Sequence, residues 1–147
     1  MIEYVIPIDP HPAPRMNGRR ITPRIERYKR FRIALKNYAL SMGLNEIPSA
    51  MGFHFVIPMP KSWSNKKRAK YNGQIHQQTP DLDNLVKAVL DCLTYGRSLN
   101  DAHVGTFLFA QKVWGEKGII KLYVNDSEET ILETTKQWLR KQTGNKR

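Results

Sequence analysis

DLDNLVKAVLDCLTYGRSLND, residues 81–101, carries the clearest helical pattern in the chain and all but two of the aspartates. Leu85, Val86, Val89, Cys92 and Leu93 recur at the spacing of one helical face, which predicts a helix from about Asp83 to Tyr95. Gly96 supplies the stop. Before it, IEYVIPI (2–8) reads as a strand ending at Pro10, and HPAPRMNGRR (11–20) as a loop. Thr22 and Pro23 form a helix-start signature, followed by Ile25, Tyr28, Phe31, Leu35, Tyr38 and Met42 as a core stripe closed by Gly43. MGFHFVI (51–57) is a second strand, stopped by Pro58 and Pro60. After the central helix, VGTFLFAQKVW (104–114) and GIIKLYV (118–124) read as two strands joined through GEKG as a hairpin. Asp126 and Glu129 resemble a capping box for a last helix with Ile131, Leu132, Thr135, Trp138 and Leu139 inward. The order β-α-β-loop-α-β-β-α predicts an α+β fold. It implies about four strands, mixed or mainly antiparallel, with about three helices.

The chain of 147 residues has the size of one ordinary domain, and a single domain over 1–147 is expected, with a fraying tail at 143–147. No apolar run approaches the length of a membrane span. The start, MIEYVIPIDPHP, has neither a basic region nor a cleavage signature, so no secretory signal is expected. Cys92 is the only cysteine, which rules out an intrachain disulfide or a Cys-based zinc site. A cytoplasmic location and no membrane partner follow as expectations.

The formal net charge is +11, and it is unevenly placed. Residues 1–80 hold fourteen Lys/Arg against four acids, whereas residues 81–126 hold five against six. The excess lies in RMNGRRITPRIERYKRFR and in KSWSNKKRAK within a polar basic loop, 58–80, that has room for a short helix near 64–70. Charge concentrated in this way points to a polyanion, nucleic acid above all. Arg15, Arg19, Arg20, Lys61, Lys66, Lys67, Arg68 and Lys70 are the candidate phosphate contacts. Trp63 lies among them, placed either to stack on a base or to pack.

Against that background, Asp81, Asp83, Asp91 and Asp101 are conspicuous. Each alone has an ordinary structural reading: helix cap, helix-end charge, ion pair with Lys87, turn residue. Together they suggest more. With a helix start at Asp83, Asp81 and Asp83 project to the same side, and Asp83, Lys87 and Asp91 share one face at i, i+4 and i+8. Converging carboxylates beside a lysine suit Mg²⁺ and phosphoryl chemistry. A rival start, with Thr79 as cap and Pro80 first in the helix, would point Asp81 and Asp83 about 200° apart.

TPDLDNLVKAVLDCL followed by NDAHV, with PMPKSWSNKKR and PHPAPRM upstream, resembles the RusA family of Holliday junction resolvases of bacteria and their prophages. The resemblance runs from the first strand to about Val104. It implies a homodimeric, Mg²⁺-dependent endonuclease, with Mn²⁺ as a substitute, cutting four-way DNA junctions by paired symmetric nicks in recombination and repair. By motif match, Asp81, Asp83 and Asp101 are its metal ligands and catalytic carboxylates, and Lys87 its catalytic lysine. Asn84 and Asp91 take supporting places. Asn100 stands where some members have a second acid. A nuclease of wider branched-DNA selectivity, or a phage DNA-binding protein without catalysis, are the competing readings.

Overall fold

The computed structural model describes residues 1–14, 22–96, 101–125 and 128–144, and the side chains of these except at 101, 128–132, 134, 135 and 138. Four strands, β1 (Ile2–Ile6), β2 (Ala50–Pro58), β3 (Thr106–Gly115) and β4 (Ile119–Val124), form one mixed sheet in the order β1-β4-β2-β3. The helices are α1 (Pro23–Ser41), α2 (Asn65–Tyr71), α3 (Leu82–Thr94) and α4 (Glu128–Thr143), with a 3-10 turn at Asp101–His103. The α+β expectation holds.

The hairpin does not. β3 runs parallel to β2, and β4 runs antiparallel to β2 on its other side, so the two consecutive strands never pair. The cause lies in β2. Met51, Phe53 and Phe55 are wholly buried, and a strand this apolar takes the middle of the sheet. Glu116, Lys117 and Gly118 therefore carry the chain across the end of β2, two strand spacings or about 10 Å, instead of folding β4 back on β3. Gly118 is required at this crossing, since a Cβ there would lie 2.0 Å from the Asp9 carboxylate.

Helices α1 and α3 cover one face of the sheet. Tyr28, Phe31, Leu35 and Ala39 of α1 meet Leu85, Val86, Ala88, Val89, Leu90, Cys92 and Leu93 of α3 over Ile6, Phe53, Phe55, Ile120 and Leu122. The expected stripe of α1 drifts at its end: Ala39 is buried, while Tyr38 and Met42 are more than a third exposed. Thr22 caps α1, its hydroxyl accepting from the Ile25 amide at 3.3 Å. At the other end of α3, Arg32 lies 3.4 Å above the Tyr95 ring and Lys36 donates to the Tyr95 carbonyl at 3.0 Å. Two cations of the basic first half thus serve the negative end of a helix. Cys92 is buried in the core, and burial pushes its thiol up to about 12, so it is inert at neutral pH.

The basic segment 58–80 is folded rather than a bare loop. Ser64 caps α2 through the Lys67 amide at 3.2 Å. Residues 73–76 then pair along the outer edge of β3: the Gly73 amide donates to Trp114 O at 2.8 Å, Trp114 to Gln74 O at 2.9 Å, and His76 to Lys112 O at 2.9 Å. An edge that would otherwise be open is closed by this strap. Asp126 and most of the expected α4 stripe lie outside the described residues and side chains, while Leu139, expected inward, is half exposed. Among the described residues no helix is long and apolar enough to cross a membrane.

Candidate active site and basic surface

The acidic site is built around the first turn of α3. The helix begins at Leu82, between the two starts weighed from sequence, with Asp81 as its N-cap in extended conformation (φ −67°, ψ 142°). The Asp81 carbonyl takes the Leu85 amide at 3.2 Å, but its carboxylate makes no capping hydrogen bond. Asp83 follows within the first turn. Both acids sit where the helix dipole favours negative charge, which lowers the cost of collecting them.

Asp81 and Asp83 open onto two neighbouring hollows rather than one. Asp81 and Asn84 line a cleft of about 810 Å³ between α3, the Pro10–Pro14 loop and the start of α1, where Arg24 also contributes. The loop is docked there by the Ala13 amide, which donates to Asn84 O at 3.3 Å. Asp83, Lys87 and Asp91 line a second hollow of about 630 Å³. Its floor is apolar, made of Leu82, Val86 and Leu90 of α3 with Phe107 and Ala110 of β3. The predicted i, i+4, i+8 strip is therefore one wall of one groove. Asp83 and Lys87 are exposed, and Asp91 is half-buried.

Asp101 opens the 3-10 turn, which packs against α3. Its side chain lies outside the description. Among the described residues no three His, Cys, Asp or Glu side chains are grouped closely enough to hold a metal. The set inferred from sequence includes the Asp101 carboxylate, which is not among them.

Lys112 escaped the sequence reading. Its ammonium group donates to Pro80 O at 2.6 Å and also to Gln78 O, gripping the segment that leads into Asp81. Burial pushes this lysine down from its ordinary value, and the Asp81 charge acts against that shift. A signal was present: Lys112 shares the strand parity of Ala110 and Trp114, where an apolar residue is the rule.

On the basic side, Lys61, Lys66, Lys67 and Lys70 are exposed. Arg68 is committed to the structure, bonded to Glu116 at 2.6 Å and to Pro60 O at 2.8 Å. Trp63 is half-buried, 4.8 Å from Trp114 and 5.3 Å from Tyr71, with the Lys67 ammonium 4.3 Å from its ring centre. Packing accounts for it. His76, buried against Trp114 at 4.1 Å, belongs to the same aromatic group. Arg15, Arg19 and Arg20 lie outside the described residues.

Compared with known families, residues 7–125 match the model described as endodeoxyribonuclease RusA. No curated protein matches the chain.

Proposed function

Because the chain belongs to the RusA endodeoxyribonuclease family, we propose that it resolves four-way DNA junctions in recombination and repair by paired nicks, as a Mg²⁺-dependent homodimer. The observation that supports this most is the exposed first turn of α3, where Asp81 and Asp83 flank the helix end and the Asp81 carboxylate is not spent on capping.

The donor set fits a hard cation. Asp81 and Asp83 offer carboxylate oxygens, the ligands Mg²⁺ and Mn²⁺ take, and the family motif adds Asp101 as a third. When bound, such an ion supplies Lewis acidity at the phosphate and an activated water. Lys87, one helical turn from Asp83, offers its ammonium group to the phosphoryl oxygens, where charge grows in the transition state. Asn84 adds an amide donor beside Asp81, and half-buried Asp91 supports the strip from its far end. Lys61, Lys66, Lys67 and Lys70 hold the flanking backbone by charge, a contact that carries no sequence information.

A junction is two-fold symmetric, and symmetric nicks need two sites related by a two-fold axis. Sedimentation should therefore show a dimer. The deciding experiment is cleavage of a mobile four-way junction, a flap and a plain duplex, each with Mg²⁺ or with EDTA. Paired nicks in the junction alone, dependent on Mg²⁺, are expected. Equal cutting of the flap would replace junction selectivity by wider branched-DNA selectivity. Tight binding without any cleavage would leave a DNA-binding protein.

A further inference from the structure

We infer, resting on that reading, that Lys112 is a positioning residue: it fixes the entry to α3 and thereby aims Asp81. The side chain rises from β3 on the face turned toward the helices, between half-buried Ala110 and buried Trp114. A lysine in that row needs a reason, because moving an ammonium group out of water is costly unless it finds acceptors. Here it finds Pro80 O at 2.6 Å and Gln78 O. The same residue's backbone carbonyl takes the His76 amide at 2.9 Å. One strand residue thus holds positions 76, 78 and 80 in succession.

The carbonyl of Pro80 belongs to the peptide that joins it to Asp81. Fixing that carbonyl fixes the plane from which the Asp81 side chain departs. Charge-assisted hydrogen bonds are stronger and shorter than neutral ones, so a cation is a better anchor here than an amide or hydroxyl. The strap is also pinned farther back, at Gly73 and Gln74 against Trp114. Without Lys112, the last stretch before the helix would keep its ends but lose its midpoint. A carboxylate that must meet a metal within a fraction of an ångström is sensitive to such slack.

The inference separates from simple structural support by two readouts that do not use cleavage. The first is Mn²⁺ binding followed by electron paramagnetic resonance in Lys112→Met and Lys112→Arg. The second is amide exchange along 78–85 compared with β4. For Lys112→Met we expect Mn²⁺ affinity to fall about 10-fold or more, the loss usual when a partner of a metal ligand is removed. Amides of 81–85 should exchange about tenfold faster, while those of Ile120 and Leu122 keep their protection. Lys112→Arg, which keeps the charge and the donors, should recover most of the Mn²⁺ affinity. Wild-type Mn²⁺ affinity in Lys112→Met would overturn the inference. So would exchange that quickens in β4 as much as in α3, or an arginine variant no better than methionine. Should the wild-type chain bind no Mn²⁺ at α3, the proposed function falls, and the exchange data alone then decide whether Lys112 holds the helix entry.

Discussion

Helices α2 and α3 stand at the two ends of one strap and are held by opposite means. Seven residues of α3 are buried, among them Leu85, Val89 and Cys92 at 0–1% exposure. None of α2 is buried. It is kept in place by the Ser64 cap, the Arg68 bonds to Glu116 and Pro60, and the aromatic contacts of Trp63 and Tyr71. The residues assigned to chemistry therefore ride on an element that cannot shift without disturbing the core. Those assigned to holding the backbone ride on an outlying one. Catalysis demands placement to a fraction of an ångström, whereas attraction to a polyanion tolerates movement.

The largest effect that would sharpen this contrast is in α3. Asp81→Asn or Asp83→Asn should slow junction cleavage by a factor on the order of 10³ or more, about 4 kcal/mol of barrier. Junction affinity should be kept or improved, since negative charge facing phosphate is removed. Asp101→Asn should follow the same pattern, Asp91→Asn should be milder, and Lys87→Ala should slow cleavage with metal binding spared. Gel assays of binding and cleavage on the same samples check this. Full cleavage by the Asp81 and Asp83 variants would reduce the acidic cluster to helix-end charges.

Next in size is folding stability. Leu85→Ala should cost about 2–5 kcal/mol in denaturant unfolding, the range for a buried leucine. Lys66→Ala in α2 should stay within about 0.5 kcal/mol. A large loss from the lysine change would mean that α2 is tied to the core by more than the strap.

On binding, the order reverses. Lys66→Glu with Lys70→Glu should weaken junction affinity by about tenfold and lower the salt slope by about 0.9 per lost phosphate contact, leaving the nick position unchanged. Arg68→Ala should instead appear chiefly in stability, by up to about 1 kcal/mol, since its partner Glu116 is largely exposed. If Arg68→Ala alone removed most of the salt dependence, its role would be on the DNA and not in the fold.

The last effect is on pH. Burial pushes His76 below its ordinary value of 6.5, and Lys112 acts in the same direction. Between that folded value and 6.5 the unfolded chain holds more protons than the folded one, so stability rises with pH across this window. It should be complete above about 6.5 and decline as pH falls below, by at most about 1.4 kcal/mol per pH unit for one group. His54, lowered likewise by burial and Lys121, adds the same sign. Thermal melts of the wild type and His76→Gln would separate the two shares.

Much of this was legible in the sequence because the signals were local. Thr22-Pro23 starts α1 where it should, and the face of α3 follows from Leu85, Val86, Val89, Cys92 and Leu93 at helical spacing. The strip of Asp83, Lys87 and Asp91 on one groove follows from the same spacing. What failed was non-local. GEKG is a turn in either topology, and only the competition of β2 for the centre of the sheet decides that the strands beside it do not pair. Lys112 escapes notice although its strand parity is the inward one, because its partners lie more than thirty residues earlier in the chain. The strap was hidden for the same reason: residues 73–76 have no strand pattern of their own and borrow one from β3.

The sheet order sets a timetable for synthesis. β1 has β4 as its neighbour, through pairs from Ile2 with Val124 to Ile6 with Ile120. The first strand made must therefore wait, unpaired, for nearly the last. β2 is in the same position on its β4 side, since Phe53 and Phe55 meet Leu122 and Ile120 there. Once residues up to the crossing at 116–118 have left the ribosome, α1, α3 and the β2–β3 pair can have formed, yet the apolar flank of β2 is still bare. Pairings of such long sequence separation form slowly, and an unpaired apolar strand invites association with other chains in the interval. β4, a short strand that carries none of the assigned chemistry, is thus the piece whose arrival ends the chain's exposure to aggregation.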